Sequence, residues 1–301
     1  MPDRAAGRGP TPGEELPAQA GPVDPSVTAP TCSTAETDHS TRTRLCNLPR
    51  FDPNAARLLT VHTESETALE EYEEIFRSDP AIAAELLHAA NSVAYGRRTT
   101  VASIRMALVV MGVTGTQALA SCIALGRYTR KTPARIDTKP FWRHAVATAV
   151  IADRIGSALG ARLGYLYTAG LTHDLGRLGL VLIAAERYGE VLAKEFRDME
   201  EASAVEKLVF GMTHDEAGAY LAQTWQFPEV LCQAMRRHHD VLEEEDDIGV
   251  RIVQAACGLA GTIGYPELER CAAGPARIPG LACELSIESL KELVDQKLKA
   301  V

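Results

Sequence analysis

The 301-residue sequence has no CxxC pair, no surplus of positive charge, few alternating β-branched stretches and no apolar run read as bilayer-length. Each absence removes a class. The seven cysteines, Cys32, Cys46, Cys122, Cys232, Cys257, Cys271 and Cys283, are odd in number and widely spaced. Neither a disulfide framework nor a zinc ribbon is signalled, and a reducing cytoplasm is expected. Without an uninterrupted apolar stretch near the roughly 20 residues that span a bilayer, and without a basic-then-apolar leader, a soluble protein with no membrane segment is expected. A net charge of −9 and no clustered basic helix argue against a phosphate-tracking surface, and so against nucleic acid as a partner. No receiver, cyclase or kinase segment is read, so any input is expected through a partner, a ligand or the amino-terminal tail.

What is present is an ordinary globular composition, 46% hydrophobic and 24% charged, spread unevenly. Residues 1–46 are proline-rich and then small and polar, with too little apolar surface to offset chain entropy, and are expected to form a disordered tail. From Leu48 the apolar spacing is helical. In "SDPAIAAELLHAANSVAYG" Asp79 caps a helix, Pro80 takes its first position and Gly96 ends it. Helices follow over 102–111 and from Thr114 or Thr116, making 47–130 one helical lobe. "TRKTPARIDTKP" (129–140) has two prolines and no periodicity, which marks a boundary. Beyond it, helices are predicted at 141–159, 163–175, 186–208, 214–225, 228–238 and 248–262. Thr213 and Glu216 form a capping box that starts one of them. The acidic "DVLEEEDD" reads as a solvated loop. Residues 263–301 hold a loop and then an amphipathic helix capped by Ser286, with Ile287, Leu290, Val294, Leu298 and Val301 on its apolar side.

Histidines concentrate in this second half. His144 lies in the first turn of one predicted helix, His173 and Asp174 end another, His214 starts a third, and His238 and His239 close a fourth. Taken singly each has an ordinary explanation: a core or capping histidine, a helix dipole partner, a solvated helix start. Taken together they supply imidazoles and a carboxylate from four helices, the donors that zinc, iron or manganese accept in a helical core.

In "FWRHAVATA", "TAGLTHDLGRLGLVL" and "GMTHDEAGAYLAQTWQFPEVLCQAMRRHH", with "NLPRF", "DPAIAAELLHAANSVAYG" and "VASIRMALVVMGV" ahead of them, the chain resembles the HDOD family. This is the HD-related output domain of bacterial signalling proteins, and the likeness runs over about 47–262. It implies an all-α, two-lobed fold with an HD-like lobe at 139–262, and a module working through signalling proteins. HDOD is related to the HD and HD-GYP metal phosphohydrolases. By that relation His144 matches the first metal histidine, His173 and Asp174 the defining doublet, His214 the next ligand, and His238 and His239 the paired histidines of a dinuclear site. The cofactor implied is divalent iron, manganese or zinc, and the ligand a nucleotide or cyclic dinucleotide.

Three departures weigh against turnover. Arg177 replaces the lysine of HDxGK, keeping charge and phosphate affinity in a different geometry. Cys257 replaces the closing aspartate, and a thiolate favours a softer metal in a closed, structural site. Pro140 stands where HD-GYP enzymes carry an acidic ligand, and the GYP segment is missing. The resulting expectation is a non-catalytic regulatory module that retains a metal or nucleotide site. The alternative is a metal-dependent phosphohydrolase with Asp174 as its catalytic carboxylate and Arg177 holding phosphate.

Overall fold

The carboxylate of Asp79 accepts hydrogen bonds from the amides of Ala81 and Ile82 at 2.9 and 3.2 Å. Its extended backbone separates two helices, α3 (Ala68–Ser78) and α4 (Pro80–Ala90). The computed structural model to which these residues belong describes residues 34–48, 53–91, 101–129, 136–161, 163–271 and 286–300. Among them every extended regular element is a helix, and the one β-bridge joins Phe196 to Cys271. The fold is all-α, as expected.

The amino-terminal lobe adds α2 (Pro53–Thr60) and α5 (Ile104–Thr129) to α3 and α4. Tyr72, Ile75 and Phe76 of α3 and Ile82, Leu86 and Ala90 of α4 bury against Leu108, Met111 and Ile123 of α5. The two helices predicted over this last stretch meet at Gly112, where φ of +68° breaks the helical backbone. That conformation is open to glycine at little cost. Over 104–127, α5 is long and apolar enough to cross a bilayer by length and composition, which corrects the expectation of no such stretch. Most of it is buried, with its two sides contributing to the two hydrophobic cores. Gly96, the predicted terminator of α4, lies outside the described residues.

The second lobe contains α6 (Lys139–Ala158), α7 (Leu166–Thr172), α8 (Leu175–Leu192), α9 (Met199–Phe210), α10 (His214–Thr224), α11 (Glu229–Arg237) and α12 (Ile248–Thr262). α6 packs against α7 and α12, and α8 against α10. Several boundaries differ from expectation. The helix predicted at 163–175 stops at Thr172, and α8 starts at Leu175 with Asp174 ahead of it, well before the predicted start at 186. The single helix predicted at 186–208 is the end of α8 and all of α9, because the Asp198 side chain caps a new start by accepting from the Glu201 amide. α6 begins at Lys139, which moves His144 into its second turn. The capping box of Thr213 and Glu216 forms as read.

The predicted tail at 1–46 is corrected in its last part. Residues 34–46 form α1 (Thr34–Cys46), which packs on α8, α9 and α10. Leu45 is fully buried, and Thr41 Oγ1 donates to the Phe210 carbonyl at 2.7 Å. A polar helix held by so few apolar contacts leaves almost no periodic signal. Residues 1–33 lie outside the described set. At the other end α13 (Ile287–Ala300) buries Leu290 and Val294 against α6, while Ile287, read as part of the apolar side, is 51% exposed.

Candidate metal centre

The close approach of α8 to α10 brings the histidines together. A Cβ on Gly176 would lie 1.8 Å from the His214 carbonyl oxygen and 2.5 Å from the Gly218 amide, so only glycine lets the helices touch there. His173 closes α7 and Asp174 precedes α8. His144 comes from α6, His214 from the first residue of α10, and His238 and His239 from the end of α11. All six predicted residues converge. His144, His173, His214 and His238 are at most 1% exposed, Asp174 is 7% exposed, and His239 is half-buried.

Hydrogen bonds orient the rings. The Nδ1–H groups of His144, His173 and His238 donate to the carbonyls of Tyr265, Gly170 and Met235 at 2.8, 2.7 and 2.8 Å. A carbonyl can only accept, so it assigns the proton to Nδ1 and turns Nε2 toward the centre. Metal-binding histidines are held in the same way. His214 donates Nδ1–H to Glu206 Oε2 at 2.7 Å. The Nε2 atoms of His144 and His173 face each other at 3.2 Å. Burial holds the His173 imidazole down at about 3, so that ring is neutral, and with both Nδ1–H groups on carbonyls two nitrogen lone pairs meet where a metal ion would satisfy both. Asp174 Oδ1 and His238 Nε2 are buried without a hydrogen-bond partner, 3.7 Å apart.

Sequence reasoning missed two central residues. Glu206 of α9 is fully buried and Glu267, after α12, is 6% exposed. Glu206 lies on the buried stripe with Ala202 and Phe210, so an acid at core spacing was a usable signal. Glu267 sits in an irregular segment with no periodicity to reveal it.

Arg177, predicted to hold phosphate, does not have the placement for that role. It is fully buried and all three of its nitrogens bind within the protein. Nε donates to Asp174 Oδ2 at 3.2 Å and Glu267 Oε1 at 3.1 Å, and Nη1 donates to Tyr188 at 2.9 Å and Glu206 at 2.6 Å. Nη2 bonds Glu267 and lies 3.3 Å from His214 Nε2. The reason is electrostatic: three buried carboxylates demand a cation. Burial and Glu267 would raise the Asp174 carboxyl, but Arg177 and the neighbouring histidines hold it well below the usual range. Burial likewise opposes ionisation of Glu206, which His214 and Arg177 hold at about 2. His214 is raised to about 10 against burial and Arg177 by the Glu206 carboxylate.

Cys257 Sγ lies 3.6 Å from His144 Nε2 and 3.7 Å from Glu267 Oε2. Four groups of donor atoms fall within metal-binding reach: His214, His238, His239 and Glu267; His144, His173 and Cys257; His173, Asp174 and His238; His144, Asp174 and Glu267. Buried nitrogen, oxygen and sulfur donors with unpartnered atoms turned inward fit a borderline divalent metal.

An all-helical protein with a buried His/Asp centre is the class these features define. The HDOD domain profile matches residues 48–241, and the chain belongs to the HDOD family. An uncharacterized protein of Treponema pallidum (strain Nichols) is 25% identical over 204 residues, 66% of this chain and 39% of that protein, so the chain spans well under half that relative's length. An HDOD domain protein of unknown function from Geobacter sulfurreducens superposes with a TM-score of 0.66 at 20% identity, covering 88% of this chain and 92% of that one. A candidate signal transduction protein from Marinobacter aquaeolei VT8 gives 0.65 at 21%, covering 88% and 63%. A candidate phosphohydrolase from Shewanella amazonensis SB2B gives 0.61 at 22%, covering 87% and 95%. At these identities the likeness is one of fold.

Proposed function

We propose that the chain is a non-catalytic regulatory HDOD module, working through contacts with signalling proteins in the cytoplasm, whose HD-like centre stabilises the fold. The observation that carries this reading is the Arg177 guanidinium, fully buried among Asp174, Glu206 and Glu267. The group best suited to meet a phosphate is consumed inside the protein. Access to the centre is narrow at the cavities seen. Of two surface cavities, about 320 and 420 Å³, the first is bordered by Phe141, Leu192, Phe196 and Glu267 and the second by Leu59, Gln117 and Leu231. The first cavity reaches the centre through Glu267, while His144, His173, Asp174, His214, His238 and His239 line neither.

The centre retains the means to hold a divalent ion, with His144, His173 and Cys257 in one donor group and His173, Asp174 and His238 in an adjoining one. A bound ion would supply Lewis acidity, and turnover would further require an open coordination position and a substrate path. The unpartnered Asp174 Oδ1 and His238 Nε2 favour the phosphohydrolase alternative. The test is a screen of cyclic dinucleotides and nucleotides with added manganese or iron. No product is expected, whereas hydrolysis by the wild type that disappears in a His173→Ala, Asp174→Ala double variant would establish an enzyme.

A further inference from the structure

We propose that the centre takes one metal ion and not two, bound by His144 Nε2, His173 Nε2, Asp174 and the thiolate of Cys257, with the Arg177 guanidinium occupying the place of a second ion. This rests on the reading that the centre holds metal. It adds which atoms bind, how many ions enter and which metals are selected.

The ligand separations carry the first half. In a tetrahedral site with metal–nitrogen bonds of about 2.05 Å and a metal–sulfur bond of about 2.3 Å, two nitrogens stand about 3.3 Å apart, and nitrogen and sulfur about 3.6 Å. The two histidine nitrogens are 3.2 Å apart, and Cys257 Sγ is 3.6 Å from His144 Nε2. His144, His173 and Cys257 are all buried and form one donor group within 4.8 Å. Asp174 joins His144 in one neighbouring group and His173 in another, though not the group that holds Cys257; its Oδ1, without a hydrogen bond and 3.5 Å from His214 Nε2 and 3.7 Å from His238 Nε2, is the atom that would turn to the fourth position. Among the described residues no protein cation is bonded to His144, His173 or Cys257, and Arg177 reaches Asp174 only through Oδ2, at 3.2 Å.

The other donor group differs. Around His214, His238, His239 and Glu267, Arg177 Nη2 already bonds Glu267 Oε1 and lies 3.3 Å from His214 Nε2, while His239 Nε2 approaches the same Glu267 oxygen at 3.1 Å. A cation held by three carboxylates stands among these ligands. A second divalent ion would have to displace it or sit against its charge.

Thiolate ligation sets the preference. Sulfur favours zinc and its softer neighbours over manganese and magnesium, and binding releases the thiol proton to solvent. The test is a cobalt titration of the chelator-treated full chain. We expect one cobalt per chain, a near-ultraviolet sulfur-to-cobalt charge-transfer band, displacement by zinc and no displacement by manganese. Cys257→Ser should lose the band completely, and Cys257→Asp should lose it while binding manganese at least tenfold more tightly than the wild type. Circular dichroism confirms that each variant is folded, and either one alone suffices for the band. Cobalt bound without the band, a band that survives both substitutions, or two equivalents bound with similar affinity would overturn the proposal while leaving a metal centre in place. A chain that binds neither cobalt nor zinc would overturn the metal reading as well.

Discussion

Arg177 Nη1 lies 2.6 Å from Glu206 Oε1, and both side chains are fully buried. Neither would persist in the interior alone, since an unpaired buried charge is strongly destabilising. Tyr188 bonds both partners, accepting from Arg177 at 2.9 Å and donating to Glu206 at 2.7 Å. Glu206 in turn fixes His214. The arginine therefore acts as a counterion that ties α8 to α9 and α10, and its substitution tests that role directly.

Arg177→Gln is expected to cost about 3–5 kcal/mol, because it leaves Asp174, Glu206 and Glu267 without their shared cation. Urea unfolding measures it. A loss below about 1 kcal/mol would show that the guanidinium does not hold the centre together. Arg177→Lys should recover part of the loss, since an ammonium restores the charge without the planar fork.

Gly176→Ala is expected to destabilise by at least about 1–3 kcal/mol, the usual range for overpacking. The new Cβ meets backbone atoms of His214 and Gly218, which have no rotamer in which to escape. Alanine at Gly189, where a Cβ meets nothing within 4 Å, is the control and should be neutral or better. Thermal melts of the pair check the contrast.

Asp79→Ala removes both the α4 cap and the 2.8 Å ion pair with Arg127 of α5, and is expected to cost about 1 kcal/mol. Asp79→Asn keeps a capping oxygen and loses only the ion pair. The Arg127 side chain holds the Asp79 carboxyl below its usual range. Its stabilisation is thus present above the unfolded carboxylate pKa and is lost as pH falls through the lower folded value. The difference between wild type and Asp79→Asn should shrink toward zero on that descent. A difference unchanged across it would contradict the ion pair.

Much of the centre was legible in the sequence, because His144 and His214 lie on helices and His173, Asp174, His238 and His239 at the ends of helices whose periodicity is readable. What was hidden followed physical rules as well. Arg177 reads as a surface phosphate ligand until Glu206 and Glu267 are known to surround it, and those acids come from separate elements. The α1 helix escaped notice because its docking depends on Leu45, on hydrogen bonds from Thr41 and Arg44 and on Arg42 over the Tyr220 ring, and carries no apolar stripe. Gly176 looks like any glycine until α10 is laid against it.

The most direct test of a fold-stabilising metal centre is the melting temperature of the natively purified full chain before and after chelation at neutral pH, paired with elemental analysis. An ion at a hundred times its dissociation constant contributes about 2.7 kcal/mol, so melting of a chain this long should drop by about 4–6 °C on chelation and recover as zinc is added back. A chain that is purified without metal, and whose melting responds to neither chelator nor zinc, would contradict it.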